Sequence, residues 1–163
     1  MLLSSADAAA FRKTLGRFAT GITIVTTLDE AGVPHGITVN SFTSVSLTPP
    51  LVLFCIGKPS QSLEPFLACK TFNINVLAAE QEALSSRFAS KMEHRFEGTG
   101  WTAGANGAPL LPGVLAQLEC TRAQTIEAGD HYILLGEVTA SGARDGDPLL
   151  YFASKYRRLR EAE

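Results

Sequence analysis

"GITVNSFTSVSLTPPLVLFCIGKPS", residues 36–60, is the most informative segment of this sequence. A strand-like segment passes into small polar residues, and a dense apolar strand follows Pro49 and Pro50. The polar residues are Asn40, Ser41, Thr43, Ser44 and Ser46. They are typical of an edge strand, but their hydroxyl groups also suit a phosphate or the edge of a heteroaromatic ring. The pattern alone leaves both interpretations open.

The rest of the chain reads as antiparallel strands with a few helices. A helix is predicted over Ser5–Leu15, with Ser4 or Ser5 as its cap and a buried face at helical spacing. That face contains Ala8, Phe11, Leu15 and Phe18. Strands are predicted at 21–28, 34–40, 49–57, 71–78, 148–152 and on both sides of Gly129-Asp130, and shorter helices at 60–69 and 80–92. Residues 93–113 read as a long irregular loop, and residues 155–163 as a charged tail.

This order of elements predicts a mostly β fold with peripheral helices, as an antiparallel barrel rather than a doubly wound sheet. The 163 residues are expected to form one domain over 1–163. The net charge of −2 argues against nucleic-acid binding. Three widely spaced cysteines without a CxxC pair indicate free thiols in a reducing cytoplasm. The start of the chain does not read as a signal peptide, and no apolar run is long enough to span a membrane.

Two short segments are candidates for chemistry. In "AGDH", residues 128–131, Gly-Asp is typical of a hairpin turn, and His131 is placed where it can point into a pocket. In "SSRFASK", residues 85–91, Arg87 and Lys91 are spaced to share a helix face, either as a solvated pair or with Arg87 gripping a phosphate. No metal site is predicted, because the histidines lack ligand-spaced partners.

Six segments in order resemble one known family. They are "FRKTLGRFATGITIVTT", "GITVNSFTSVSLTPPLVLFCI", "TFNINVLAAEQEALSSRFAS", "GAPLLPGVLAQLEC", "AGDHYILLGEV" and "PLLYF". Together they resemble the short-chain NAD(P)H:flavin reductases, which include the reductase components of two-component flavin monooxygenases. The resemblance covers residues 11–158 and implies a flavin-reductase-like, FMN-binding split β-barrel with Greek-key-like antiparallel strands.

The resemblance also implies which residues contact the flavin. The isoalloxazine and ribityl chain would meet Thr38, Val39, Asn40 and Ser41, and backbone groups of Cys55, Ile56 and Gly57 would pass along the ring. The ribityl and phosphate end would lie near Ser44, Ser60, Ser62, Arg87 and Phe88. His131 would orient the nicotinamide, and Tyr156 would cover the ring, often across a dimer interface. Ala153-Ser154 departs from the glycine-containing pair that many relatives carry shortly before this tyrosine.

The activity implied is hydride transfer from NADH, with NADPH as the alternative, to FMN or FAD. The reduced flavin would be supplied to a partner monooxygenase, and the protein would be a homodimer. Three other functions stay open at this point. They are a flavin-binding electron carrier or storage protein, a reductase for a corrinoid cobalt or a pyrimidine-degrading system, and a scaffold with a vestigial pocket.

Overall fold

The computed structural model describes residues 7–159, which form three helices and twelve strands. The helices are α1 (Ala8–Leu15), α2 (Leu63–Ala68) and α3 (Glu82–Ala89). The strands are β1 (Thr20–Gly21), β2 (Thr23–Leu28), β3 (Pro34–Val39), β4 (Thr43–Leu47), β5 (Pro50–Gly57), β6 (Thr71–Val76), β7 (Thr102–Ala103), β8 (Pro109–Leu110), β9 (Ala116–Ala128), β10 (His131–Ala143), β11 (Leu150–Phe152) and β12 (Lys155–Arg157).

Seven strands form the main sheet, in the order β3-β2-β6-β9-β10-β5-β4, and every pair is antiparallel. The prediction of a mostly β, antiparallel fold with peripheral helices is therefore confirmed. The β2–β3 hairpin pairs Thr23 with Val39, and the β9–β10 hairpin turns at Gly129-Asp130 as predicted. A small sheet, β1-β11-β12, lies outside this order.

The core lies inside the curled main sheet and is closed by α2. Phe54 of β5 makes edge-to-face contacts with Phe66 of α2 and Phe72 of β6, at ring-centroid distances of 5.6 and 5.2 Å. All three rings are fully buried. Such aromatic pairs contribute roughly 0.5–1.5 kcal/mol each beyond the area that they bury. This packing fixes the position of β5, whose last residues reach the functional site.

The polar residues of β6 are buried together with its apolar residues. Asn75 donates from Nδ2 to the Ile24 carbonyl at 3.1 Å and accepts the Leu111 N–H at 2.9 Å. Asn73 donates to the Ala108 carbonyl at 2.8 Å. These side chains satisfy the backbone of the irregular 104–111 segment, which the ladders of the main sheet do not reach. The alternation in "TFNINV" therefore separates two buried faces rather than a core from solvent.

The N-terminal helix differs from its prediction. It begins at Ala8, and Asp7 caps it by accepting the Ala10 N–H at 2.7 Å. The predicted caps, Ser4 and Ser5, lie outside the described residues. The predicted buried face is wrong within this chain, because its aromatic and leucine side chains are exposed.

Two further corrections concern residues after β6. The third helix ends at Ala89, so Lys91 lies beyond it and does not share a helix face with Arg87. The start of the predicted charged tail forms β12, in which Tyr156 pairs with Tyr151 of β11. None of the helices in residues 7–159 is long and apolar enough to cross a lipid bilayer.

Candidate functional site

A cleft of about 570 Å³ opens between the ends of β3 and β5 and the C-terminal end of α3. Its size is within the range of small-molecule sites, roughly 300–1,000 Å³. Ten of the residues predicted to form the site line it. They are Thr38, Val39, Asn40, Ser41, Cys55, Ile56, Gly57, Ser60, Phe88 and His131. The remaining lining residues include Pro59, Gln61, Ser90, Lys91 and Arg95.

One wall of the cleft is the end of β3, which is an edge strand of the main sheet. The Thr38 hydroxyl donates to the Ser85 carbonyl at 2.7 Å, and this bond ties the strand to α3. Gly36 permits the close approach of Phe88, because a Cβ there would lie 2.7 Å from the Phe88 ring. The Asn40 side chain is exposed in the cleft. This wall therefore offers edge-strand backbone groups and a neutral amide to a ligand.

The Ser41 hydroxyl joins this wall to β5. It accepts the Cys55 N–H at 2.9 Å and lies 3.3 Å from the Cys55 carbonyl oxygen, to which it donates. The strand β4 pairs only with residues 50–53, so this side of Cys55 has no strand partner. The hydroxyl supplies the missing partner and joins the segment after β3 to the end of β5. The Ser41 side chain is therefore committed to closing the barrel.

The opposite wall brings β5 beside the start of β10, where Gly57 pairs with His131. Alternate peptide groups of a strand point the same way, so the Gly57 N–H faces the same side as the Cys55 N–H, toward the cleft. A Cβ at Gly57 would lie 3.4 Å from His131 Nε2. Glycine therefore leaves room for a flat ligand to approach the backbone next to the imidazole.

His131 is oriented by its neighbour in the turn. Its Nδ1 lies 2.7 Å from Asp130 Oδ1, and this hydrogen bond lowers the pKa of the Asp130 carboxyl below its usual value. A carboxylate only accepts, so Nδ1 carries the hydrogen, and Nε2 of the neutral ring is an acceptor on the cleft side. The predicted turn and the predicted pocket residue are thus compatible descriptions of the same segment.

The other end of the cleft is cationic. Within residues 7–159, its lining contains Lys91 and Arg95 and no carboxylate. The Arg95 guanidinium donates to the Ser90 carbonyl at 2.6 Å and to the Gly36 carbonyl at 3.0 Å. Burial lowers the pKa of this guanidinium, which remains charged at neutral pH. Arg95 is not among the predicted site residues, and it lies in the segment predicted as an irregular loop, residues 93–113.

Four predicted site residues lie elsewhere. Ser44 lies on the exposed edge strand β4, and the buried Ser62 hydroxyl accepts from Arg95 at 3.2 Å in a neighbouring cavity. The Arg87 guanidinium bonds the carbonyls of His94 and Glu97, outside the cleft lining. The Tyr156 hydroxyl lies 3.0 Å from Ser85 Oγ. It lines a separate cavity of about 200 Å³, which shares Thr38, Val39 and Asn40 with the cleft.

This geometry suits a flat, polar ring with an anionic tail. The neutral walls supply backbone and amide groups along one part of the cleft, and the two cations neutralise charge at the other end. The small polar residues of this segment therefore have two different positions. Residues 38–41 face the cleft or close it, whereas residues 43–47 form the exposed edge strand that was the alternative interpretation.

Known proteins with similar sequences include several flavin reductases. The chain is 45% identical over 150 residues to FMN reductase (NADH) SmoA of Agrobacterium fabrum, covering 92% of this chain and 85% of that protein. It is 42% identical over 151 residues to HsaB of Rhodococcus jostii, the reductase subunit of a flavin-dependent monooxygenase, covering 92% and 77%. A relative from Rhizobium meliloti is 48% identical over 134 residues, but the chain spans only 43% of its length.

The solved structure of the NADH:FAD oxidoreductase SgcE6 of Streptomyces globisporus, in complex with NAD and FAD fragments, superposes with a TM-score of 0.91. Its sequence is 39% identical, and the match covers 98% of this chain and 97% of that one. The profile of the family described as flavin reductase like domain matches residues 15–160. The chain belongs to the flavin reductase like domain family.

Proposed function

We propose that this protein is an NAD(P)H-dependent flavin reductase that transfers hydride from NADH to FMN or FAD. Its reduced flavin is supplied to a partner monooxygenase. The observation that carries the proposal is the cleft, whose neutral walls end at His131 on one side and at Lys91 and Arg95 on the other. The names of SmoA and SgcE6 support the same reaction class, and the name of HsaB supports a partner monooxygenase.

The residues present fit a flavin. The absence of a Cβ at Gly57 leaves space for the ring beside the backbone, and Asn40 offers an amide to the ring edge. Ser60 and Gln61 lie in the same lining as the two cations, where the ribityl phosphate would be held. When bound, the flavin supplies the hydride acceptor. The chain positions it and places the Gly57 N–H where backbone donors can stabilise negative charge on the ring.

His131 has the position of a nicotinamide-orienting residue. Asp130 holds its ring through Nδ1, which leaves Nε2 to accept a hydrogen bond from a carboxamide N–H in the cleft. The imidazole side chain is about half exposed, so a second ligand can reach it. Holding donor and acceptor rings in a productive orientation is the main contribution of such a site to the rate.

The experiment that tests the proposal is NADH oxidation by the purified protein, with FMN, FAD or riboflavin added in excess. We expect turnover that depends on added flavin and falls for riboflavin, because riboflavin lacks the phosphate that Lys91 and Arg95 would hold. A protein that keeps its flavin through dialysis and does not oxidise NADH would contradict the proposal and favour an electron carrier. The same assay with NADPH compares the two nicotinamide nucleotides.

We further propose that the protein is a homodimer in the cytoplasm, with residues 1–163 as one domain. Exposed apolar side chains such as Phe18 (77% exposed) and Leu47 (91%) support a covered surface in the assembly. The free thiols of the three cysteines support a reducing compartment. Light scattering during size-exclusion chromatography measures the assembly, and a monomer at micromolar concentration would contradict the homodimer.

A further inference from the structure

Positive charge is concentrated on one small part of the molecule. This part consists of residues 7–21 and 150–159, which contain α1, β1, β11 and β12, and we call it the basic module. Six positive charges and one negative charge give the basic module a formal charge of +5, whereas the same count gives residues 22–149 a formal charge of −6. The six cationic residues are Arg12, Lys13, Arg17, Lys155, Arg157 and Arg158.

The fold does not neutralise these six charges. All six side chains are exposed, and none of them forms an ion pair within residues 7–159. Glu82 lines a surface cavity with Arg157 and Arg158 but pairs with neither. The four other arginines of residues 7–159, in contrast, all donate to backbone carbonyls. The charge of the basic module therefore acts on the solvent around it, over a Debye length of about 10 Å at 0.1 M salt.

The basic module lies against the wall of the cleft that is formed by the end of β3. The Ala153 N–H donates to the Gly16 carbonyl at 2.8 Å, and this bond ties the end of α1 to the β11–β12 turn. Tyr151 and Tyr156 of the module line the cavity of about 200 Å³ that shares residues 38–40 with the cleft. Only this wall separates the module from the cleft.

The α1 side of the module also lies near the turn that carries His131. The pKa of the Asp130 carboxyl is lowered mainly by its hydrogen bond with His131, and the positive charge of Arg12 adds to this effect. An interaction between these two charges requires that α1 lie close to the β9–β10 turn. The basic module therefore borders the cleft near Asn40 and near His131.

The nucleotides proposed as ligands of this cleft are anionic. FMN, FAD and NADH all carry phosphate groups, whereas riboflavin carries none. Positive charge around a cleft raises the association rate of an anionic ligand, by about tenfold to a thousandfold in favourable cases. Residues 22–149 have the opposite sign and would repel such a ligand at long range. The basic module is the part of the surface that attracts it.

We propose that the basic module steers phosphate-bearing nucleotides into the cleft and accelerates their association without contacting them in the bound state. This inference rests on the proposed function, since it takes these nucleotides as the ligands of the cleft. Charges at the rim of a site act mainly on the association rate and on its salt dependence, whereas bound contacts act on the dissociation rate. The two rates therefore separate steering from a further phosphate contact.

The test is the association rate constant of FMN with the apoprotein, measured by stopped-flow quenching of flavin fluorescence, with riboflavin as the uncharged comparison. Between about 0.02 and 0.3 M ionic strength, we expect the wild-type rate constant to fall about fivefold for FMN and less than about 1.5-fold for riboflavin. The double variant Arg157→Gln, Arg158→Gln is expected to lower the FMN association rate constant about threefold at low salt. Its dissociation rate constant is expected to stay within about 1.5-fold of wild type.

A second variant and a control use the same change in net charge. Arg12→Gln, Lys13→Gln removes two positive charges from α1, and we expect the same loss as for the β12 variant. Lys70→Glu also lowers the net charge by two, but this exposed residue precedes β6 at the end opposite Val76, which adjoins Thr23 on the cleft side. We expect this control to change the FMN association rate constant less than about 1.5-fold.

The kcat/KM for NADH at saturating FMN, measured for the same variants and ionic strengths, shows whether the module steers NADH as well. A loss for either nucleotide supports the inference and identifies the nucleotide that is steered. FMN association that does not depend on ionic strength would overturn it, as would equal losses for FMN and riboflavin, or a loss in Lys70→Glu as large as in the module variants. Failure of the proposed function gives a different result, because NADH is then not oxidised with any flavin. Failure of steering alone leaves turnover intact.

Discussion

Replacing Ser41 with alanine removes the two hydrogen bonds that close the sheet at Cys55. A net contribution of roughly 0.5–1.5 kcal/mol per bond gives an expected loss of about 1–3 kcal/mol in the free energy of unfolding. For a chain of this size, each kcal/mol corresponds to about 2–4 °C in Tm, so the apoprotein is expected to unfold about 2–12 °C lower. Thermal unfolding followed by circular dichroism measures this shift.

Two matched variants separate closure of the barrel from ligand binding. Ser44→Ala removes a hydroxyl on the exposed edge strand and is expected to change stability by less than about 0.5 kcal/mol. Asn40→Ala removes an exposed amide in the cleft and is expected to weaken flavin binding about threefold to tenfold at unchanged Tm. A Ser41→Ala protein as stable as wild type would refute the closure argument. Unchanged flavin affinity in the Asn40→Ala, Ser41→Ala double variant would refute the placement of the ring.

Three further predictions follow from single residues. His131→Ala should raise the KM for NADH about threefold to tenfold and the Kd for flavin much less, and equal changes would contradict its nicotinamide role. Ala153→Gly should raise the free energy of unfolding in urea by about 0.5–1 kcal/mol, since Ala153 has a φ of 51°. Iodoacetamide should alkylate the native protein at Cys55, and flavin should slow this reaction. Cys69 and Cys120 should react only after unfolding, because burial raises both thiol pKa values, that of Cys120 to about 12.

The pairing of strands could be predicted where the paired strands are neighbours in the sequence. The β2–β3 and β9–β10 hairpins join neighbouring segments through short turns with Gly or Asp, so their pairing follows from the sequence. The position of β6 between β2 and β9 is not local, because it depends on the packing of Phe72 against Phe54 and on the buried amides of β6. Asparagine in an alternating strand indicates a solvated face unless its hydrogen-bond partners are known. The partners of Asn73 and Asn75 include Ala108 and Leu111, which lie about 35 residues further along the chain.

The apolar face of α1 shows what helical periodicity leaves open. The spacing of Phe11, Leu15 and Phe18 correctly indicates an amphipathic segment, but it does not say what covers the apolar side. Within one chain these side chains are more than half exposed. The periodic pattern therefore predicts a covered apolar face, but it does not say whether the same chain or a second copy covers it. The exposure seen in one chain is consistent with the homodimer proposed above.

Arg87 and Arg95 show why the cationic end of the cleft could not be assigned from sequence. Both lie near the end of α3, and either could hold a phosphate. The helix stops at Ala89, and the chain then turns back, so that Arg87 bonds the carbonyls of His94 and Glu97 on either side of Arg95. The first arginine thus anchors the loop that presents the second to the cleft. Which of the two arginines lines the cleft thus depends on where the helix ends, and the sequence alone does not fix that point.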